Sequence, residues 1–86
     1  MKLCWYVYLV QCADGTLYCG IATDVERRVR EHNTSHRGAK YTRTRRPVRL
    51  VYTEEHVSRS AAAKREYAIK RMSRHEKLKL AQESRR

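Results

Sequence analysis

The chain has 86 residues, with 20 Lys and Arg against 9 Asp and Glu and a formal net charge of +11. A chain this short buries only about 60% of its unfolded surface, which excludes a second domain and predicts one unit over residues 1–86 with its core from about 3 to 80. The positive surplus favours acidic partners, nucleic acid first among them, over the alternative of a merely solvated basic surface.

From Lys2 to Cys12 the run is rich in Val, Leu and aromatics, as is Thr16 to Ala22, and Ala13-Asp14-Gly15 between them supplies turn chemistry. The two stretches form a hairpin. A two-residue Asp14-Gly15 turn would place Tyr8 and Tyr18 on opposite faces. A three-residue loop with Gly15 left-handed instead sets Tyr8 opposite Gly20 and on one face with Tyr18. It also gathers Trp5, Val7, Leu9, Leu17, Cys19 and Ile21 into an apolar layer on the other face, so burial selects this register. Gly20 then either leaves room above the sheet for Tyr8 and a phosphate or marks only a bulge.

A helix follows, with Thr23 as cap, Glu26 completing a capping box and Asp24 adding negative charge at the positive helix end; it runs to about Asn33. Val25 and Val29 share a face with Arg28 and His32. Arg28 is out of place on such a face unless it is functional or lays its stem on the core edge, and His32 is either a site residue or a histidine satisfied by a backbone carbonyl. Residues 34–47 combine turn formers, a charge run and Tyr41, predicting a loop with one helical turn that ends at Pro47.

Val48 to Thr53 alternates as a third strand, and Ser58 caps a long helix. Val57, Ala61, Ala68 and Met72 are the expected centre of its apolar stripe, widened by Ala62 and Ile69, with Glu66 on the flank. Lys70 stands four residues after Glu66, so an ordinary surface ion pair is the competing reading of that glutamate. Ser73-Arg74-His75-Glu76 is a second capping signal for a final basic helix to about Gln82, with a frayed Arg85-Arg86 end.

Cys4, Cys12 and Cys19 are odd in number and lack CxxC spacing, which predicts reduced thiols packed as small apolar groups rather than a zinc site. With neither a signal peptide nor a spanning segment legible, the expected location is cytoplasmic, away from membranes.

Taken together, the Tyr8 to Tyr18 separation, Tyr18-Cys19-Gly20, the distance from Tyr18 to Arg28, His32-Asn33, and Glu66 within AKREYAIK resemble the GIY-YIG nucleases. The likeness is to the small stand-alone bacterial members and spans about Leu3 to Leu80. It implies an α+β fold, a small three-stranded antiparallel sheet flanked by helices in the order β-β-α-β-α-α. Residue by residue, Tyr8 matches the last tyrosine of the first family motif, Tyr18 the first of the second, and Gly20 its glycine. Arg28 matches the catalytic arginine, His32 a histidine one turn later, and Glu66 the glutamate that holds one Mg²⁺ or Mn²⁺ ion.

Such enzymes hydrolyse phosphodiester bonds. The resemblance implies a deprotonated tyrosine as general base, with Tyr8 favoured and Tyr18 orienting water or phosphate. Arg28 would grip the scissile phosphate, and His32 would assist by hydrogen bonding or proton relay. An unperturbed tyrosine titrates near ~10, so neighbouring positive charge has to favour the phenolate. The chain departs from the family at Tyr6, where glycine is usual, at Cys19, and at Ile21, where some relatives carry a lysine.

The basic loop bearing Arg37, Lys40, Arg43, Arg45 and Arg46 is expected to track a nucleic-acid backbone, with Tyr41 stacking a base; a solvated loop with Tyr41 partly buried is the alternative. The expected function is a metal-dependent endonuclease on single-stranded or structured DNA in repair or processing. A weakly catalytic nucleic-acid-binding module of the same fold is the alternative, and an interaction protein with a partner in a repair assembly is a third class.

Overall fold

The computed structural model describes residues 4–83. Lys2 and Leu3, at the head of the expected first strand and core, and Arg85 and Arg86, at the expected frayed end, lie outside the described residues.

Val7, Tyr8, Leu9 and Val10 form an unbroken run of buried side chains within strand β1, Trp5–Gln11. Burial on both faces is what a central strand experiences, and β1 is central: the sheet order is β2-β1-β3, with β2 at Leu17–Ala22 and β3 at Arg49–His56, both antiparallel to β1. The hairpin register is the one that burial selects, with Tyr8 opposite Gly20. Gly15 has φ 86, its N–H donates to Cys12 O, and the Cys12 N–H donates to Thr16 O, which closes a three-residue loop whose last position needs a left-handed backbone.

The two faces of the sheet bury separate apolar sets. Val7, Leu9, Cys19 and Ile21 pack with Ala62 and Ile69 beneath helix α3, Arg59–Lys70. Tyr8, Val10, Cys12 and Val48 pack with Tyr18, Val25 and Val29 beneath helix α1, Val25–Thr34. A single helical turn, α2, Lys40–Arg43, lies in the predicted loop, and α4, Arg74–Glu83, adds Leu80 to the first set. The element order is therefore β-β-α-α-β-α-α, the expected α+β architecture with the one-turn helix included.

Ser58 and Ser73 cap α3 and α4 as predicted, and at α4 the box is reciprocal: the Glu76 N–H donates to Ser73 Oγ and the Ser73 N–H to Glu76 Oε1. At α1 the expectation is off by one residue. Asp24, not Thr23, is the cap, its Oδ1 accepting from the Arg27 N–H at 3.0 Å.

Strand β3 runs three residues past the predicted Thr53. Glu54, Glu55 and His56 read as polar, yet they pair with Val7, Tyr6 and Trp5, and Glu54 is satisfied by Tyr52, His56 and Arg65.

The buried stripe of α3 also differs from expectation. It centres on Ala62 and Ile69, both fully buried, whereas Val57 is 87% exposed and Ala68 faces outward. Arg65 and Glu66 occupy the i+3 and i+4 positions from Ala62, so the inward face of α3 carries two charges where hydropathy would demand apolar residues. No described helix is long and apolar enough to cross a membrane, and no disulfide joins the described cysteines.

Candidate active site

The α1 face of the sheet positions a hydrogen-bonded tyrosine and histidine. Tyr8 points from the central strand toward α1, where its hydroxyl lies 2.7 Å from His32 Nε2. Both residues are buried. On the far side of the imidazole, the Ala39 N–H donates to Nδ1 at 3.2 Å, which assigns the ring proton to Nε2 and makes His32 the donor toward the Tyr8 oxygen. The Thr42 hydroxyl, also fully buried, is 2.9 Å from Nδ1 and 2.8 Å from Ala39 O. Burial, with the Arg28 charge second, pushes the His32 pKa down to about 4, so the ring is neutral at physiological pH.

Gly20 makes this arrangement possible. A Cβ there would stand 2.6 Å from Tyr8 Cζ and closer still to the hydroxyl, so the absent side chain is the space that the phenol fills. The bulge reading of Gly20 is set aside, since its pairing with Tyr8 is regular.

Arg28 is half-buried on the same helix face, one turn before His32. Its Nη1 donates to Glu31 Oε1 at 2.9 Å and to Arg37 O at 2.8 Å, which fixes the guanidinium beside the phenol. Burial raises the Tyr8 pKa, the neighbouring Tyr18 adds to that, and the Arg28 charge opposes both. Burial wins, so Tyr8 is a neutral phenol at rest.

Tyr18 lies toward the sheet edge. Its ring meets His32 edge-on at a centroid distance of 5.3 Å and stacks on Tyr41 at 6.0 Å. Lys70 Nζ sits 5.8 Å from the same ring and 3.3 Å from Glu66 Oε2. Because β2 is an edge strand, Lys70 of α3 on the opposite face reaches round it to Tyr18, and Glu66 is linked to the cluster through Lys70 alone. Its charge also helps burial push the Cys19 thiol up to about 12.

Glu66 suits a hard divalent cation. Its side chain is 22% exposed, and its partner Lys70 is half exposed, in an i,i+4 pair of a kind worth only ~0.3–0.5 kcal/mol, so a cation displaces the ammonium at small cost. Among the described residues no group of three or more His, Cys, Asp or Glu converges. One carboxylate is nonetheless a normal complement for Mg²⁺, which keeps waters and takes phosphate oxygens.

The basic loop divides by what its side chains hold. Lys40 and Arg43 are exposed on α2, and the exposed Arg37 contributes its carbonyl to Arg28. Arg45 bonds Asp14 and Tyr41 O, and its guanidinium lies 3.9 Å from the Tyr41 ring centroid, so Tyr41 already has Arg45 and Tyr18 as ring partners. Arg46 donates to His32 O and Ser35 O. It closes the C-terminal end of α1, whose last carbonyls lack helical partners, so this side chain, expected to track a nucleic-acid backbone, is engaged within the fold.

Three residues that hold His32 escape sequence reading. Thr42 and the Ala39 N–H bind its far nitrogen, and Gly38 lets the loop cross α1, since a Cβ there would come within 2.7 Å of Glu31 O and 2.8 Å of His32 Cα. A lone glycine before one helical turn is the faint signal available. Of the departures, Ile21 packs in the apolar set beneath α3, and Tyr6 pairs with Ala22 and Glu55, the Glu55 charge raising its pKa.

A family model described as the GIY-YIG catalytic domain matches residues 4–79. A UPF0213 protein of Desulfotalea psychrophila is 65% identical over 69 residues, covering 80% of this chain and 63% of the relative, so the chain spans less than two thirds of that protein's length. A UPF0213 protein of Staphylococcus saprophyticus is 55% identical over 78 residues, covering 91% of this chain and 94% of the relative. Among solved structures, a UPF0213 protein from Bacillus halodurans superposes with a TM-score of 0.58 at 46% identity, covering 92% of this chain and 83% of that one. A protein from E. faecalis gives 0.59 at 46% identity, covering 86% and 78%.

Proposed function

The chain belongs to the GIY-YIG catalytic-domain family, and from that membership we propose that it is a divalent-metal-dependent endonuclease hydrolysing DNA phosphodiester bonds. Its proposed substrates are single-stranded or structured DNA met in repair or processing. A nuclease domain implies a nucleic-acid substrate, and the net charge of +11 suits one. Three cysteines, an odd number without CxxC spacing, suit a reducing cytoplasm.

The observation that carries the proposal is the joining of two sides of the sheet round the β2 edge: Tyr18 touches His32 on one side and lies beside the Lys70–Glu66 pair on the other. In this reading Tyr8 first loses its proton to solvent, His32 donating from Nε2 stabilises the phenolate so formed, and the phenolate then takes the proton of the attacking water and returns to the neutral phenol. Arg28 presents its guanidinium to the scissile phosphate and lowers the cost of the phenolate by its charge. Tyr18, with its ring against His32 and at the sheet edge, orients water or a phosphate oxygen. Glu66 holds the divalent ion, which when bound neutralises charge on the phosphate and the departing oxygen.

A second reading, a nucleic-acid-binding module with little activity, is favoured by one feature: Tyr8 is only 1% exposed and burial raises its pKa. End-labelled single-stranded, duplex and flap DNA, incubated with Mg²⁺, Mn²⁺ or EDTA, separates the two. Metal-dependent cutting by the wild type that vanishes in Glu66→Ala, with binding retained, is the expected result. Salt-sensitive binding with no cutting under any metal overturns the endonuclease in favour of the binding module.

A further inference from the structure

Away from the site, the outer face of α3 carries an open basin of about 680 Å³ lined by Arg59, Ser60, Ala63, Lys64 and Tyr67. Its make-up is unusual for a solvated helix face. Tyr67 is 64% exposed, an aromatic ring standing in water. Ser60 and Ala63 are small, so they leave a flat floor beside that ring, suited to a planar heterocycle. Arg59 and Lys64 border the floor, and Arg71 reaches back to place its guanidinium 5.5 Å from the Tyr67 centroid and its Nη1 2.9 Å from the Tyr67 hydroxyl. Among the described residues, those lining the basin include no acid. Glu66, the single acid of α3, faces the β2 edge instead.

From this combination of exposed ring, small-residue floor and unopposed positive charge, we propose that the outer face of α3 binds single-stranded nucleic acid, one base lying on Tyr67 and the flanking phosphates on Lys64, Arg59 and Arg71. Stacking on tyrosine is indifferent to sequence but requires an unpaired base, so the surface selects single strands over blunt duplex. Lys70 lies between the two regions, three residues from Tyr67 on α3 and 5.8 Å from the Tyr18 ring, so one cation borders both the platform and the candidate active site. The inference deepens the endonuclease proposal and rests on it for direction, since the site is what gives the strand an origin.

Binding in EDTA tests the surface without cleavage. A short single strand carrying one 2-aminopurine is titrated with wild type, Tyr67→Ala, Tyr67→Phe and the double variant Lys64→Gln, Arg71→Gln. Fluorescence reports stacking and anisotropy reports affinity. Wild type and Tyr67→Phe quench the base, whereas Tyr67→Ala loses the quench and binds about tenfold more weakly. The double variant flattens the slope of log K against log salt by ~0.7 for each phosphate no longer neutralised. Blunt duplex binding is unchanged by Tyr67→Ala. Wild-type affinity in Tyr67→Ala, or an equal loss on duplex, overturns the inference. Metal-dependent cutting that persists beside that outcome keeps the endonuclease while removing the platform. Tyr67-dependent binding without metal-dependent cutting keeps the platform and removes the endonuclease.

Discussion

The hydroxyl of Tyr8 and Nε2 of His32 lie 2.7 Å apart between the central strand and α1, both residues shut away from solvent. The Ala39 N–H on the opposite nitrogen makes the imidazole a donor, so the pair is arranged to stabilise negative charge on the tyrosine oxygen.

Gly20→Ala is the sharpest test of how that pair is seated. A methyl group would collide with the ring of Tyr8, standing 2.6 Å from Cζ, and the ring has to turn away from His32. The expected cost is about 1–3 kcal/mol of stability by chemical denaturation, as for other overpacked interiors. Cleavage should fall much further than DNA affinity, which is measured in parallel.

Stability should depend on pH through His32. Its folded pKa of about 4 lies below the ordinary histidine value of 6.5, so between these values the unfolded chain binds the extra proton. The stabilisation is complete above pH 6.5 and is lost as pH falls toward 4, in all about 3 kcal/mol. Denaturant midpoints across pH 4 to 7 check this, and the slope should shrink in His32→Gln.

The loop arginines should separate into two classes. Arg46→Ala removes donors to His32 O and Ser35 O and should lower stability by about 1–2 kcal/mol while leaving the salt dependence of DNA binding intact. Lys40→Ala with Arg43→Ala should do the reverse, flattening the salt slope by ~0.7–0.9 for each phosphate no longer neutralised, with little effect on the melting temperature.

The contrast between Arg46 and Arg43 shows what the sequence could and could not tell. The hairpin register was legible because only one alignment buries Val7, Leu9, Cys19 and Ile21 together, and the serine caps of α3 and α4 are local chemistry. The strand extension through Glu54 was not, because its charge is matched by Arg65 from a helix begun later in the chain. The stripe of α3 was misplaced for a related reason: Arg65 and Glu66 stand at inward positions, and hydropathy moves the apparent core away from them. Within the site, Tyr8, Tyr18 and His32 could be grouped by face, but Thr42 and Gly38 act through a loop crossing that no periodicity records.

The most direct measurement is the single-turnover cleavage rate of wild type and Tyr8→Phe between pH 6.5 and 8.5 with saturating Mg²⁺. A buried tyrosine base with a raised pKa predicts a wild-type rate that climbs about tenfold per pH unit, and a loss of ~10²–10⁴ in Tyr8→Phe with DNA affinity retained. Cutting by Tyr8→Phe at the wild-type rate, or a wild-type rate flat across that range, would contradict the assignment of Tyr8 as the base.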